Sequence, residues 1–519
     1  MAMRITTKMM QSRSLNNINT NKALQEKLTT QLSTGKKITR PSDDPIVAIR
    51  SLKLNSSLNK VDQYYEKNSE DAESWLKLTE SALDTTSKII TSMKQYLTQT
   101  VSNYYETTDK QAILENLSNF IDEIYATGNA DSAGRSIFTG YRTNTPLTFT
   151  EDKTEWYSIT EQWTNACLDT TTFVKTGDLS EINEGNFTTK TTDEYDVESY
   201  EVARIRLAYN DLYYDTANNK AEVKLTYLDA TQQPPTEQTL GVTDYYESAD
   251  DEAYEKAHDN PDAIVYIAET GELLLGENIQ KKLAALSADS EIRISYEKSN
   301  WKEGDLDPIH YFYTERKNPK NGQTIYYNED KIQNGLEGRY AKQIMEYDIG
   351  SNQTIRVNTT ADEVYTHDMG RDIAELKTML EEYQTLDDTY TTVKKMIESG
   401  EYTGDELDKL NKQLAALDKA RTLAKEKAQQ KTESLQTTFS GYLNQVSQAT
   451  TDVGSRESRL SLIQNRLSAQ QTNFQELVSE NEDADITDLA IQLSSVQLTY
   501  EAALSSISYV MQTSLLDFI

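Results

Sequence analysis

Apolar residues recur in alternating steps of four and three at both ends of the chain. The stripe near the C-terminus consists of Leu489, Leu493, Val496, Tyr500, Ala503, Ile507 and Val510. Leu504, next to Ala503, is also assigned to the predicted interface. A shorter and less regular stripe near the N-terminus consists of Leu15, Ile18, Leu24, Leu28 and Leu32. Such a stripe cannot be buried within one helix, so each end needs a partner helix, and the pattern indicates a protein that assembles.

The next helices can be located from the residues that typically begin or end a helix. Residues 6–34 are predicted to form the first helix, with Gly35 as the residue that ends it. Asp44 is expected to cap the next helix, with Pro45 at its first position, where a missing N–H costs nothing. That helix is predicted to be very long, about 45–104, and a shorter helix should cover about 109–127.

The pattern changes after residue 134. Ser136–Tyr141 and Thr145–Phe149 predict a hairpin that leaves the helical part. Residues 151–365 alternate apolar and polar positions and predict strands with one or two short helices, for example near Asp250–His258. Helical periodicity resumes near Gly370 and continues to the end, with breaks around 399–404 and 480–485.

The predicted fold class is therefore α+β. An elongated coiled coil or bundle of the N- and C-terminal arms carries a mainly β inserted domain. The terminal arms are predicted at 1–44 and 485–519. The long helical bundle with its exit hairpin is predicted at 45–150 and 366–484, and the insert at 151–365.

Charge is distributed unevenly over the 519 residues. The formal net charge is −32, yet residues 1–60 hold eleven Lys and Arg against three Asp and Glu. A basic arm can bind nucleic acid or an anionic membrane. A solvated helix face that pairs with acidic neighbours is the favoured interpretation, because the arm lacks aromatic residues for base stacking. No stretch approaches the length of a membrane span, and the N-terminus lacks the apolar core of a cleaved secretory signal.

Motifs that carry chemistry are not found. The sequence contains no phosphate-binding loop, no His-Glu-x-x-His and no Gly-x-Ser-x-Gly. A single cysteine, Cys167, and three scattered histidines, His258, His310 and His367, argue against a zinc site. The acidic run 480–485 lacks the central Gly and the distant Glu of a calcium loop, and is interpreted as a turn whose acids favour the next helix. We therefore predict no enzyme, no catalytic residue, no cofactor and no metal.

Three segments near the N-terminus form a recognisable set, namely Met3–Thr6, Leu32–Ile38 and the motif Ser42, Asp43, Asp44 and Pro45. They resemble the N-terminal signature of the flagellin superfamily, and in particular that of hook-associated proteins of the FlgL type. Gly134–Gly140 resembles the exit hairpin of the family, and Val453–Leu460, with Arg456 and Arg459, resembles its C-terminal helix signature. Ser458 departs from the Asn that the family often has. The acidic run and the closing Ser514–Phe518 complete the resemblance, which covers both helical arms and leaves residues 151–330 unmatched.

The resemblance implies a structural junction between the flagellar hook and filament. It implies flagellin, a neighbouring FlgK-type junction protein and further copies in a ring as partners, with an export chaperone on the C-terminal helix. It also implies an extracellular place on the flagellum after export without a cleaved signal. Three alternatives remain at this point. They are a flagellin-like filament subunit, a secreted adhesive module that binds glycans through the insert, and a cytosolic coiled-coil scaffold.

Overall fold

The computed structural model describes residues 7–101, 107–189, 197–318 and 322–516. Ten α-helices occur in these segments, in the order α1 Thr7–Thr34, α2 Pro45–Asp62, α3 Glu70–Val101, α4 Thr107–Thr127, α5 Asp251–Asp259, α6 Glu277–Ala284, α7 Asp330–Gln333, α8 His367–Ser399, α9 Asp405–Glu482 and α10 Ile486–Leu516. A π-helical segment, Gln63–Ser69, joins α2 to α3, so the chain is helical without a break from 45 to 101. The predicted long helix is thereby confirmed, as are the breaks at 399–404 and 480–485.

The strands lie between α4 and α8. They are β1 Asp131–Ser132, β2 Arg135–Ser136, β3 Lys153–Trp163, β4 Leu168–Lys175, β5 Glu198–Arg206, β6 Lys224–Leu228, β7 Glu237–Leu240, β8 Asp244–Tyr246, β9 Ile264–Ile267, β10 Glu272–Leu275, β11 Glu291–Trp301, β12 Tyr313–Lys317, β13 Thr324–Tyr327, β14 Glu346–Gly350 and β15 Gln353–Arg356. The mainly β insert with a helix near 250–258 is confirmed, since α5 covers that stretch.

Two larger sheets organise the insert. The six-stranded sheet has the order β13-β12-β3-β11-β6-β7, and the five-stranded sheet has the order β4-β5-β10-β9-β8. Only β8 and β9 pair in parallel among the pairings described within these two sheets. Apolar residues from both sheets form one core, in which Ile159, Ile205, Tyr266, Ile294 and Tyr296 are almost completely buried. Alternation along the strands produces this arrangement, because every second side chain faces the opposite sheet.

The chain divides into two compact units. The first consists of residues 1–73, 347–355 and 458–519, and the second of residues 74–346 and 356–457. These boundaries differ from the predicted ones, which separated the insert at 151–365 from the helical bundle. Most of the insert belongs to the same unit as residues 74–150 and 366–457 of the predicted bundle.

Apolar packing explains why the insert and the bundle helices form one unit. Val174 and Phe187 from the insert share a buried cluster with Leu386 of α8 and with Leu410 and Leu417 of α9. The sheet region therefore depends on α8 and α9 for part of its core. Alternation within the insert sequence predicts strands but does not show which face is covered by a helix far along the chain.

A buried ion cluster also joins β5 to the helices within the second unit. Arg206 Nη1 lies 2.8 Å from Asp372 Oδ1 and 2.9 Å from Glu375 Oε2, both on α8. Lys431 of α9 lies 2.7 Å from the same Glu375 oxygen, and Arg204 also contacts Glu375, at 2.6 Å. Burial opposes ionisation of Glu375, but the three cations outweigh it and keep its pKa below the ordinary value.

The predicted exit hairpin needs correction. Its strand pairing lies earlier, between Asp131–Ser132 and Arg135–Ser136, with Ala133 and Gly134 at positive φ in the turn. Residues 137–149 form no named strand, although Thr148 makes an isolated bridge with Leu306. Four apolar side chains of this segment are buried, namely Ile137, Phe138, Leu147 and Phe149, while Tyr141 is 62% exposed. The apolar pattern that suggested two strands thus mainly reflects burial of a loop.

Candidate assembly interface

The two ends of the chain pack against each other as the helices α1 and α10. Helix α1 ends at Thr34 and α10 begins at Ile486, and the backbone joins them there, because Ala484 N donates to Gly35 O at 2.9 Å. The helices therefore run in opposite directions. The C-terminal stripe faces α1, since Leu489 is buried and Leu493, Val496, Tyr500, Ala503 and Ile507 are half-buried. The side chain of Val510 lies outside the described residues.

The N-terminal stripe is placed differently from the prediction. Ile18 and Leu28 are buried and Leu32 is half-buried, but Leu15 and Leu24 are 55% and 43% exposed. The covered face of α1 also includes the polar residues Ser14, Asn21 and Gln25. Together with Ile18, Leu28 and Leu32, these three residues recur at alternating steps of four and three. A search for apolar residues alone misses them because they are polar.

Apolar side chains that this pair does not cover remain on both helices. On α10, Ile491 is 64% exposed and Leu498 is 69% exposed. They are seven residues apart and so lie on one face of the helix. Leu504 is 44% exposed and lies outside the face that packs on α1, whereas its neighbour Ala503 lies on that face. Together with Leu15 on α1, these residues give the paired ends apolar surface without a partner among the described residues.

The connector after α1 is held to the end of α9. Gly35, with a positive φ of 69°, ends α1 as predicted, and its amide donates to Gln31 O. Lys37 N donates to Glu482 O at 2.7 Å, and Lys36 pairs with Asp483 in an antiparallel bridge. Two short backbone segments, 445 to 447 residues apart in sequence, are thus fixed side by side.

Glu482 is the centre of this junction. Its carboxylate accepts hydrogen bonds from Lys36 Nζ at 3.1 Å, from Asn55 Nδ2 at 2.6 Å and from Ser51 Oγ. The Ser51 hydrogen bond is the main reason that the pKa of Glu482 is lowered, with the Lys36 and Asn55 bonds adding to it. Sequence analysis missed Ser51 and Asn55 entirely. The sequence offered one signal for this junction. Lys36 and Lys37 are positively charged and the acidic run is negatively charged, which favours contact between them.

The acidic run acts as a turn and a cap. Asp485 Oδ1 accepts the amide hydrogens of Thr487 at 2.8 Å and of Asp488 at 3.2 Å, at the start of α10. This confirms the interpretation of the run as an interhelical turn. Among the residues in the four described segments, no group of three His, Cys, Asp or Glu side chains could hold a metal ion.

The motif at 42–45 also has a local structural role. Asp44 Oδ1 accepts from Ile46 N at 3.0 Å and from Val47 N at 3.2 Å, with Pro45 at the first helical position, so the predicted cap is confirmed. Asp43 Oδ2 accepts from Arg40 N at 2.9 Å and from Thr39 N at 3.2 Å, and these bonds lower its pKa. The side chain of Ser42 is exposed.

The two arginines of the C-terminal signature lie near β14 and β15. Arg456 Nη1 donates to Asn358 O at 3.0 Å and is also paired with Asp452. Arg459 Nη2 donates to Thr354 O at 3.3 Å and is exposed. Each is tied to the backbone of this chain, so both support the fold locally.

The three histidines have different surroundings. His367, at the start of α8, has its Nε2 2.8 Å from Tyr209 Oη, and burial lowers its pKa to about 3. His310 Nε2 lies 2.9 Å from Pro146 O, and burial lowers its pKa to about 4. His258 is exposed beside Asp259. The structure does not bring them together into one site.

Two family profiles match the ends of the chain. The bacterial flagellin N-terminal helical region matches residues 5–143, and the bacterial flagellin C-terminal helical region matches residues 437–519. These ranges contain α1, α10 and the junction around Glu482. Within the described segments, no helix combines the length and the apolar character needed to cross a membrane.

Two individual relatives are flagellar hook-associated proteins. Flagellar hook-associated protein 3 of Salmonella typhimurium is 31% identical over 142 residues, which are 27% of this chain and 44% of the relative. Hook-associated protein 3 of Escherichia coli is 29% identical over 152 residues, which are 29% of this chain and 47% of the relative. The chain thus spans less than half the length of the curated relatives it matches.

Among solved structures, a putative flagellar hook-associated protein from Vibrio parahaemolyticus is similar with a TM-score of 0.35 and 11% identity. The match covers 85% of this chain and all of that one. The matches lie at the ends of the chain, in the ranges that contain the terminal helices, the capped turns and the acidic run. These comparisons support the resemblance of both ends to the flagellin superfamily and to hook-associated protein 3.

Proposed function

We propose that this chain is a structural junction protein of the bacterial flagellum. It links the hook-side, FlgK-type junction protein to the flagellin filament, and packing of α1 and α10 between subunits makes the link. The relatives named hook-associated protein 3 support this proposal at the ends of the chain. No catalytic step is part of the function.

The observation that carries the proposal is the apolar surface left on the paired ends. Two helices in contact cover one side of each other only, so Ile491 and Leu498 on α10 and Leu15 on α1 remain in water. Covering a Leu or Ile side chain contributes about 1.5–3 kcal/mol. Neighbouring subunits would bury these residues and so favour a packed ring over a separate monomer.

Further copies of the chain, flagellin and the FlgK-type protein are the partners in this proposal. Before assembly the same apolar surface of α10 needs cover, which an export chaperone provides. The protein leaves the cell without a cleaved signal and occupies the space between hook and filament.

Localisation tests the proposal against its alternatives. A peptide tag in the exposed turn at 217–219 lies far in sequence from the terminal helices. Gold labelling of intact flagella should mark one narrow band at the base of each filament. Label along the whole filament would instead identify a filament subunit, and label only inside cells would identify a cytosolic scaffold.

A deletion strain supplies the second measurement. Cells that lack this chain should build hooks and release flagellin into the medium. Complementation with the tagged chain should restore attached filaments. Normal filaments in the deletion strain would contradict the proposal, because a junction protein is required for attachment.

A further inference from the structure

A cleft of about 250 Å³ lies in the second unit, outside the terminal helices. The end of β3, the segment 311–312, the region 331–339 and the start of α8 form its walls. It has the size of a small molecule with one ring, at the lower end of ligand sites. Nothing in the assembly of the terminal helices uses this cleft.

Aromatic rings make up the apolar walls. Trp163, Tyr311, Phe312 and His367 all line the cleft. The ring centroid of His367 lies 4.5 Å from that of Tyr311 and 5.2 Å from that of Phe312, so these walls support each other. Flat faces held in this way suit a flat apolar body.

Hydrogen bonds behind the rings hold them in place. Trp163 Nε1 donates to the buried Glu161 at 2.7 Å, and Tyr311 Oη donates to Tyr365 O at 2.8 Å. Neither ring can turn without losing its bond. The cleft is therefore shaped before any ligand enters, which lowers the cost of binding.

Two cations in the cleft have only neutral partners. Arg339 donates to Ser290 O at 2.6 Å and to Ala288 O at 3.3 Å, and Lys331 Nζ donates to Tyr311 O at 2.7 Å. Among the described residues, neither cation has a carboxylate within 4.0 Å. The Nε of Arg339 and the Oγ1 of Thr366, also in the wall, are shielded from solvent and have no hydrogen-bond partner there.

The acids in the wall do not remove this positive character. Asp368 is engaged by Arg206, whose Nη2 lies 3.3 Å from its Oδ1. Asp362 is exposed at the rim, where water screens it. Two half-buried cations without an acidic partner among the described residues thus face one cleft, and an anion would complete their surroundings.

We propose that this cleft binds a small aromatic carboxylate. The aromatic body lies between the rings, and the carboxylate accepts hydrogen bonds from Arg339 and Lys331. A carboxylate offers the negative charge that both cations lack and an acceptor for Arg339 Nε, which has no partner among the described residues. The predominance of rings over hydroxyl and amide groups favours an aromatic acid over an acidic sugar.

Calorimetric titration of the full chain tests the proposal with probes of one shape. Phenylacetate should bind with a Kd of about 1 mM or lower, while phenylacetamide, which is neutral, and phenethylamine, which is cationic, should bind at least about tenfold more weakly. Glucuronate is the acidic-sugar arm and should also bind at least about tenfold more weakly. Equal binding of the acid and the amide, tighter binding of the amine or of glucuronate, or no binding of phenylacetate would overturn the proposal.

Variants locate the contact. Arg339→Gln should weaken phenylacetate about tenfold and leave phenylacetamide unchanged, and Lys331→Gln should act in the same direction. Lys317→Gln removes one positive charge from the exposed end of β12 and should change neither affinity. Far-UV circular dichroism controls for folding of each variant. Unchanged phenylacetate affinity in folded Arg339→Gln and Lys331→Gln would place the ligand elsewhere and refute the assignment.

Discussion

Lys36 and Asp483 are 447 residues apart in sequence, yet Lys36 Nζ lies 2.7 Å from Asp483 Oδ1. Both side chains are more than 40% exposed, so the ion pair itself contributes little stability. Its neighbour Glu482 is 20% exposed and accepts hydrogen bonds from three side chains. The junction of the two ends therefore depends on Glu482 more than on the pair that marks it.

Replacement of each acid separates their contributions. Glu482→Ala should cost about 1.5–3 kcal/mol of local stability, because its hydrogen bonds to Lys36, Ser51 and Asn55 are lost. Asp483→Ala should cost less than about 1 kcal/mol. Hydrogen–deuterium exchange of the amides of Lys37 and Ala484 measures both effects. Equal protection in the two variants would contradict the central role of Glu482.

The exposed face of α10 should be required for assembly but not for folding. Ile491→Asp combined with Leu498→Asp places two charges where we propose that neighbouring subunits pack. Cells that carry this variant should release filaments, while the purified chain should keep its helix content. Filament counts by electron microscopy and far-UV circular dichroism are the measurements.

Gln492→Asp combined with Thr499→Asp is the matched control for that variant. Both positions are exposed, have the same seven-residue spacing and lie one residue further along α10. This control adds the same charge to a polar face and should retain filaments. Loss of filaments in both variants would show that charge anywhere on α10 is harmful, and the specific face would lose its support.

The cap of α2 predicts a smaller and purely local effect. Asp44→Ala removes the acceptor for the amides of Ile46 and Val47 and should cost about 1 kcal/mol. Asp44→Asn keeps an acceptor oxygen and should cost only a few tenths. Urea unfolding followed by circular dichroism compares the two. A larger loss in the Asn variant than in the Ala variant would exclude the capping role.

The buried cluster predicts a much larger loss. Arg206→Met leaves Asp372 and Glu375 with one cation fewer, and breaking such a cluster costs about 3–5 kcal/mol. Arg421→Met is a matched control, because Arg421 pairs with two acids but is 28% exposed, and it should cost about 1 kcal/mol or less. Chemical unfolding of the second unit measures both. Equal losses would show that burial is not decisive.

The buried imidazole of His367 should reduce stability as the solution becomes acidic below pH 6.5. Burial lowers the pKa of His367 from 6.5 to about 3, so the unfolded chain binds a proton in this range that the folded chain does not. At pH 5 this difference costs about 2 kcal/mol, and above pH 7 it vanishes. Between pH 7 and pH 5, the wild type should therefore lose about 2 kcal/mol of unfolding free energy relative to His367→Gln, because the other titrating groups are the same in both chains.

His258→Gln, on the exposed end of α5, controls for the loss of an imidazole. It should keep the wild-type difference between pH 7 and pH 5. If His367→Gln also keeps that difference, the buried imidazole does not cause it. Denaturant titration at both pH values gives the answer.

Periodicity predicted the long helices because their apolar steps extend over many turns. The same principle located the face of α10, where six of the seven stripe positions are described and all six are covered. On α1 it located Ile18, Leu28 and Leu32 but not Ser14, Asn21 and Gln25, because polar residues carry no periodic apolar signal. Leu15 and Leu24, the other members of the predicted stripe, are exposed, and their part in assembly stays a prediction.

Contacts between distant segments were beyond prediction. The cap at Asp44 depends on four consecutive residues and could therefore be predicted from the sequence. The bonds from Ser51 and Asn55 to Glu482 depend on how α2 meets α9, and the cleft around Trp163 depends on four separate segments. A single sequence does not show which distant segments come into contact, so sites built from such contacts cannot be identified until the fold is known.

The cluster around Arg206 also limits how the insert can be exchanged. A β domain grafted from a relative onto these helices would place new side chains opposite Asp372 and Glu375 on α8, with Lys431 as their remaining cation. A graft that omits the two arginines of β5 would leave those acids short of positive charge in the interior. Transplanting the domain thus means transplanting residues of α8 with it, and the unit of exchange is larger than the stretch of strands.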